Sequence, residues 1–222
     1  MSNKMVNIYL YTRYERFWHW AQMLMIVVLI ATGLEIHGLY TLFGFEEAVE
    51  IHNFTGISWL ITFWIFVFWA FTTGQWRQYI PTTKKMVAVI LYYSWGIFQG
   101  EAHPVPKQKE AKHNPLQRLT YLILAVCLLP IQMVSGFFYW SYNSWQEWGF
   151  SFLSLTVTAA VHMAVAFALL SFIIVHVYMT TTGHSLTAHI RAMITGWEEV
   201  DEAAKIEDWE KKRADENGRA RR

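Results

Sequence analysis

The sequence predicts an all-α integral membrane protein. The expected fold is a four-helix bundle with both termini cytoplasmic and an additional interfacial helix between spans two and three. Three observations carry this reading. Of 222 residues, 54% are hydrophobic and 17% aromatic, which is too apolar for an ordinary soluble domain. The apolar residues are gathered into four long uncharged runs, and about 20 such residues cross a hydrocarbon core as a helix. The charges are also segregated. With four spans, all 18 Lys and Arg residues fall on one side: three in the N-terminal arm, seven from Arg77 to Arg118 and eight in the tail. The loops at 35–50 and 141–150, on the other side, carry only Glu35, Glu46, Glu47, Glu50 and Glu147. The positive-inside rule then puts both termini in the cytoplasm. A formal net charge of +1 gives no ground to expect a nucleic-acid partner.

Residues 1–16 form a short polar arm with Lys4, Arg13 and Arg16 and no signal-peptide pattern. The first span, about 17–38, carries His19 near its start and Gly33 fourteen residues later. The second, about 51–76, opens with His52 and Asn53, and Gly56 follows one turn on, where a neighbour can approach closely. Residues 77–118 are the longest connection. Within it the uncharged stretch Met86–Gly100 is 15 residues long, short for a span and suited to an interfacial helix. A crossing there would also strand Lys107, Lys109, Lys112 and Arg118 outside. Pro104 and Pro106 then break the chain. The segment KHNPLQR, Lys112–Arg118, leads into the third span, about 117–141, in which Pro130 predicts a kink. Its aromatic end, FFYWSYNSW, suits a membrane–water interface. The fourth span, about 151–182, is followed by a short amphipathic helix and a disordered end at NGRARR. Residues 1–200 are thus expected as one membrane domain and 201–222 as a charged cytoplasmic tail. A single cysteine, Cys127, excludes an internal disulfide and a cysteine-held zinc or iron–sulfur centre, and reads as a small core residue.

The fourth run organises the site. It reads SFLSLTVTAAVHMAVAFALLSFIIVHVYMTTT and holds His162 and His176, fourteen residues apart. At 100° per residue the two rings point to nearly the same face, about 21 Å apart along the axis. Polar groups at such depths are costly and usually functional. With alternating span directions, His19 shares the inner level with His176, and His52 shares the outer level with His162. Zinc wants three or four ligands at one centre; two imidazoles per level suit axial ligation of haem iron. The expectation is two non-covalent b-type haems, since the sequence has no CxxCH motif. Gly33, on the His19 face but at the outer level, makes room for the outer haem. His37 is expected at the interface. His103, His113, His184 and His189 lie in polar segments and read as solvated. Arg16 and Arg118, at the inner level, are candidate propionate partners or headgroup anchors.

The chain resembles the four-helix dihaem b-type cytochrome subunits of respiratory nickel–iron hydrogenases, of membrane-bound formate dehydrogenase (its gamma subunit) and of some thiosulfate reductases. The matching features are RYERFWHW at Arg13–Trp20, His52 opening helix two, KHNPLQR before helix three, His162 with His176, and TTTGHSLTAHIRAMITGW at Thr180–Trp197. The resemblance implies an outer haem on His52 and His162 and an inner one on His19 and His176. It also implies a quinone site, for menaquinone or ubiquinone, near the inner haem and formed partly by Asn114–Gln117. Pro115 in that segment lacks the N–H that a family contact would use. Asn114 and Gln117 have both donors and acceptors for quinone carbonyls, and Glu15 and His113 are candidate proton carriers.

The expected function is transfer of electrons, in the inner (cytoplasmic) membrane, between the quinone pool and a periplasmic redox partner of a respiratory oxidoreductase complex. That partner is a multihaem c-type cytochrome or an iron–sulfur subunit, docking on the acidic outer loops. Substrate chemistry belongs to the partner, because the chain has no flavin, molybdenum or iron–sulfur motif. Two rival readings are a histidine-relay transporter, which the lack of Asp, Glu, Lys and Arg in the spans disfavours, and a structural anchor for a peripheral enzyme, which has no use for paired histidines.

Overall fold

The computed structural model describes residues 5–105, 112–183 and 185–201. His184, Pro106, Lys107, Lys109 and the tail after Asp201 lie outside the described residues. The chain is mostly helical, and among the described residues four helical stretches are long and apolar enough to cross a membrane: Arg13–Ile36, Phe45–Thr72, Pro115–Trp140 and Leu155–Thr180. Little of each stretch is buried within the chain itself, between 6% and 22%. An apolar exterior of this kind needs a lipid solvent, and a helix satisfies its own backbone there.

The first stretch is α1 (Arg13–Ile36). A capping box starts it: the Thr12 N–H donates to Glu15 Oε2 at 2.8 Å, and the Glu15 N–H donates to Thr12 Oγ1 at 3.3 Å. Near its far end Glu35 is buried and accepts the N–H groups of Leu42, Phe43 and Gly44 at 2.7, 2.7 and 2.9 Å, folding the following loop back on the helix. The second is α2 (Phe45–Thr72), with Glu46 and Glu47 in its first turn, where the helix dipole favours them. α3 (Met86–Ser94) is nine residues long, too short to cross, and a 3-10 turn at Gly96–Gln99 follows it.

The third stretch is not uniform. α4 (Pro115–Ile123) passes into a π-helical segment, Leu124–Leu128, before α5 (Leu129–Trp140). Pro130 explains this. It has no N–H for the carbonyl of residue 126, and its ring crowds that carbonyl, so the preceding turn widens. The predicted kink is therefore a π-turn. Cys127 lies in this turn and is exposed, not a core residue, because the widened segment directs it away from the interior. The fourth stretch is the unbroken α6 (Leu155–Thr180).

One departure from an all-helical chain is a two-stranded antiparallel sheet. β1 (Met5–Tyr9) lies within the arm read as irregular, and pairs with β2 (Trp197–Asp201), with Met5 opposite Asp201 and Tyr9 opposite Trp197. Between α6 and β2 lies α7 (Ala188–Thr195). Gly196 ends α7 at φ +90°, and its carbonyl accepts the N–H groups of Leu10 at 2.8 Å and Tyr11 at 3.2 Å. A Cβ there would stand 2.6 Å from the Tyr9 ring, so both conformation and space demand glycine.

The residues group into two compact units. One comprises residues 1–16, 68–123 and 177–222; the other comprises 17–67 and 124–176. In the first, the two-stranded sheet joins the segments before α1 and after α7. The second contains the middle portions of the long helices. There Gln22 of α1 accepts the indole N–H of Trp59 of α2 and donates to Thr62, while Trp18 stacks on Phe66 with centroids 4.0 Å apart.

Candidate functional site

All four candidate ligands lie in the second unit. The His52 and His162 rings have centroids 6.3 Å apart, and the His19 and His176 rings 6.2 Å apart. His19 comes from α1, His52 from α2, and His162 and His176 from α6, so one helix supplies a ring to each pair. Two imidazoles sharing a metal through bonds of about 2 Å have ring centres about 6 Å apart, so both spacings fit axial ligation of a common iron. No group of three or more His, Cys, Asp or Glu able to hold a metal ion occurs among the described residues. Each pair offers two imidazoles, a donor set that suits an axially ligated haem better than a structural zinc.

The surroundings of the His52/His162 pair are polar. Thr32, fully buried in α1, donates its hydroxyl to the Val28 carbonyl at 2.8 Å, and its oxygen lies 2.9 Å from His52 Nδ1. With its hydroxyl proton turned to Val28, Thr32 can accept from His52 Nδ1–H, the tautomer that keeps Nε2 free for a metal. Ser135 of α5 repeats the pattern, donating to the Gln132 carbonyl at 3.2 Å with its oxygen 3.2 Å from His162 Nδ1. The Gln132 amide donates to His162 Nε2 at 3.1 Å, on the lone pair that a metal would also use. Glycines face both rings. A Cβ at Gly33 would lie 3.4 Å from His52 Cε1, and one at Gly136 only 2.9 Å from His162 Cε1. Gly136 thus makes room for the His162 ring, whereas a Cβ at Gly33 would meet the His52 ring at ordinary contact distance.

The His19/His176 pair stands among aromatics. Phe172, one turn before His176 on α6, stacks on that ring with centroids 5.6 Å apart, and Trp20 meets His19 edge-on at 5.3 Å. His19 Nδ1 is buried and has no hydrogen-bond partner among the described residues.

The pattern of a membrane cytochrome is thus present in four crossing helices and two bis-imidazole pairs, and comparison with known proteins decides the family. The model of the prokaryotic cytochrome b561 family matches residues 10–196. The chain belongs to the prokaryotic cytochrome b561 family. It is also similar to "Putative cytochrome YdhU" of Escherichia coli (strain K12), at 30% identity over 198 residues, which cover 86% of this chain and 74% of that protein. No solved structure is a significant match. As a cytochrome b561 the chain is a multi-pass inner-membrane protein of the haem b, electron-transporting class.

The candidate quinone, proton-carrier and propionate residues lie in the first unit. Asn114 and Gln117 form a second capping box, at the start of α4: the Asn114 N–H donates to Gln117 Oε1 at 3.0 Å, and the Gln117 N–H to Asn114 Oδ1 at 2.9 Å. The Asn114 side-chain amide then donates to the Tyr93 hydroxyl at 2.9 Å and reaches His103 Nε2 at 3.4 Å. His103 is thereby part of this cluster. Burial pushes the Tyr93 hydroxyl up to about 12, although the Asn114 bond opposes this, so Tyr93 keeps its proton at neutral pH. Glu15 is paired with the buried Lys112 at 2.6 Å. Tyr79 stacks on His113 with centroids 5.4 Å apart, and burial with the nearby Glu15 carboxylate raises the Tyr79 hydroxyl well above its ordinary value. Arg16 donates to the Ile194 carbonyl, and Arg118 is almost wholly buried. His189 is not simply solvated: its Nδ1 lies 2.9 Å from the buried Glu198. His37 is exposed.

Sequence reading missed Thr32, Gln132, Ser135 and Gly136 as the surroundings of the paired rings. For Thr32 a signal existed: it is the one hydroxyl residue between Trp18 and Leu34.

Proposed function

We propose that this cytochrome b561 holds two b-type haems, one on His52 and His162 and one on His19 and His176, and carries electrons across the inner membrane. The observation that supports this most is the pair of ring separations, 6.3 and 6.2 Å, with one ring of each pair on α6 fourteen residues apart. When bound, each haem supplies one-electron transfer; the chain supplies ligands, spacing and insulation from water. Both termini are cytoplasmic, in keeping with the basic flanks and the sheet that joins β1 to β2. α3 lies in the cytoplasmic interface, an amphipathic position that its length suits. The exposed Glu46, Glu47, Glu50 and Glu147 on the outer face dock a periplasmic redox subunit with a basic surface.

Quinone is proposed to react at the cytoplasmic side, at the Asn114–Gln117 segment. The capping box commits the amide oxygens of Asn114 and Gln117. The groups left to meet a quinone carbonyl are therefore the Gln117 amide nitrogen and the Tyr93 hydroxyl, with Glu15 and His113 as proton carriers.

Haem stoichiometry tests the reading. Pyridine haemochrome analysis of the purified protein should give two non-covalent haem b per chain; one or none overturns it. For the quinone site, Tyr93→Phe spares the helix cap. It should lower quinone-linked turnover with both haem spectra intact, and unchanged turnover and inhibitor sensitivity would place the site elsewhere.

A further inference from the structure

A side-chain hydroxyl stands behind each ring of the His52/His162 pair. Thr32 Oγ1 lies 2.8 Å from the Val28 carbonyl, and donating its proton there leaves an oxygen lone pair toward His52. In the tautomer that leaves Nε2 for a metal, the 2.9 Å contact is Nδ1–H donating to oxygen. Ser135 Oγ lies 3.2 Å from both the Gln132 carbonyl and His162 Nδ1, and in the same tautomer it donates to the carbonyl and accepts from the ring. A ligating imidazole that gives its second N–H to an acceptor has a fixed tautomer and ring angle and is a more basic ligand. More electron density at the ligand nitrogen favours the ferric over the ferrous iron. Thr32 is the more committed of the two acceptors: it is fully buried and its bond is shorter.

We propose that Thr32 and Ser135 are positioning residues for His52 and His162, which set the tautomer of these rings and hold the haem between them at a lower midpoint potential than the same pair would give without the hydroxyls. This rests on the dihaem reading above. Neither residue touches iron; each acts through its histidine. The His19/His176 pair, where His19 Nδ1 has no partner among the described residues, serves as an internal control in the same molecule.

The experiment uses the full-length, haem-loaded protein. Thr32→Val removes the hydroxyl and keeps the shape; Thr32→Ser keeps the hydroxyl; Ser135→Ala removes the second one. Haem content, a potentiometric titration followed in the visible spectrum, and low-temperature EPR are recorded for each. The midpoint belonging to the His52/His162 haem is the one that disappears in His52→Ala. Thr32→Val should keep two haems and move that midpoint upward with an altered EPR signal, leaving the other midpoint in place. Ser135→Ala should move it the same way by less, and Thr32→Ser should match the wild type. Loss of this haem in Thr32→Val with recovery in Thr32→Ser also supports positioning. Two haems with both midpoints unmoved, both moved equally, or Thr32→Ser behaving like Thr32→Val would overturn the proposal. A wild-type protein with fewer than two haems would overturn the dihaem reading instead.

Discussion

At the His52/His162 pair both Nδ1 atoms meet side-chain hydroxyls and both rings lie against glycines; at the His19/His176 pair the neighbours are the aromatic rings of Phe172 and Trp20. The separations of the rings are nearly equal, 6.3 and 6.2 Å. Ring spacing is therefore set by helix placement, and the local chemistry of each pair is set separately by what packs behind it. One pair has a side-chain hydroxyl within hydrogen-bond reach of each Nδ1. The other is held by stacking and shape, which constrain the plane of a ring more than the position of its proton. Equal geometry need not give equal electronic behaviour, and in the proposed two-haem arrangement the difference would separate the two potentials.

The largest effects will come from the ligands themselves. His52→Ala or His162→Ala should remove one of two haems and leave the other spectrum unchanged, while His19→Ala or His176→Ala should remove the other. Pyridine haemochrome analysis with the reduced α-band spectrum reads this directly. If either substitution abolished both haems in a protein that still inserts and stays monodisperse, the pairs would not be independent and the comparison would fail.

Next comes the space for the rings. A Cβ at Gly136 would lie 2.9 Å from His162 Cε1, closer than the ring tolerates, whereas one at Gly33 would lie 3.4 Å from His52 Cε1. Overpacking of this kind costs about 1–3 kcal/mol, or roughly five- to 150-fold in affinity. Gly136→Ala should weaken retention of the His52/His162 haem by a factor in that range, read by haem transfer to an apo-acceptor. Gly33→Ala should retain it nearly as the wild type does.

Much of this arrangement is legible in the sequence, and the rest is hidden for physical reasons. Four uncharged runs announce four crossing helices, because a bilayer core imposes length and apolarity on each. The spacing of His162 and His176 announces a shared face, because helix periodicity is rigid. Register beyond Pro130 is another matter. The π-turn at Leu124–Leu128 adds a residue to the turn, so regular periodicity carried from Arg118 gives the wrong face for Gln132, Ser135 and Gly136. The β1–β2 pairing joins residues near the two ends of the chain, and neither strand has a partner in local sequence to reveal it. The helix starts were readable: TRYE and NPLQ both follow the capping-box pattern, and both form one. For Asn114 and Gln117 that local role accounts for their side-chain oxygens.

The aromatic side of the comparison is sharpened by Phe172. Its ring lies 24° from coplanar with His176, a contact worth about 1 kcal/mol. Phe172→Leu should keep two haems, since the ligand remains, but free the His176 ring to turn. The expected readout is a changed EPR anisotropy for the His19/His176 haem alone. An altered signal from the other haem would mean that the two surroundings are not separate.

Gln132 gives the smallest effect, with a sign opposite to the others. Its amide donates to His162 Nε2 at 3.1 Å, while its own carbonyl oxygen is buried without a partner among the described residues. Metal ligation and this hydrogen bond use the same lone pair, so haem binding must displace the amide. A neutral hydrogen bond is worth about 1 kcal/mol net, and its loss is a cost charged against haem affinity. Gln132→Leu removes that competitor, and it also removes a buried polar group with an unsatisfied oxygen. The variant should therefore retain the His52/His162 haem as tightly as the wild type or a few-fold more tightly, with the Ser135 bond to Nδ1 still in place. Slower haem transfer to an apo-acceptor is the measurement that checks it. Faster transfer would show that Gln132 supports the ligated state, and the His162 side of the pair would then depend on an amide as well as a hydroxyl.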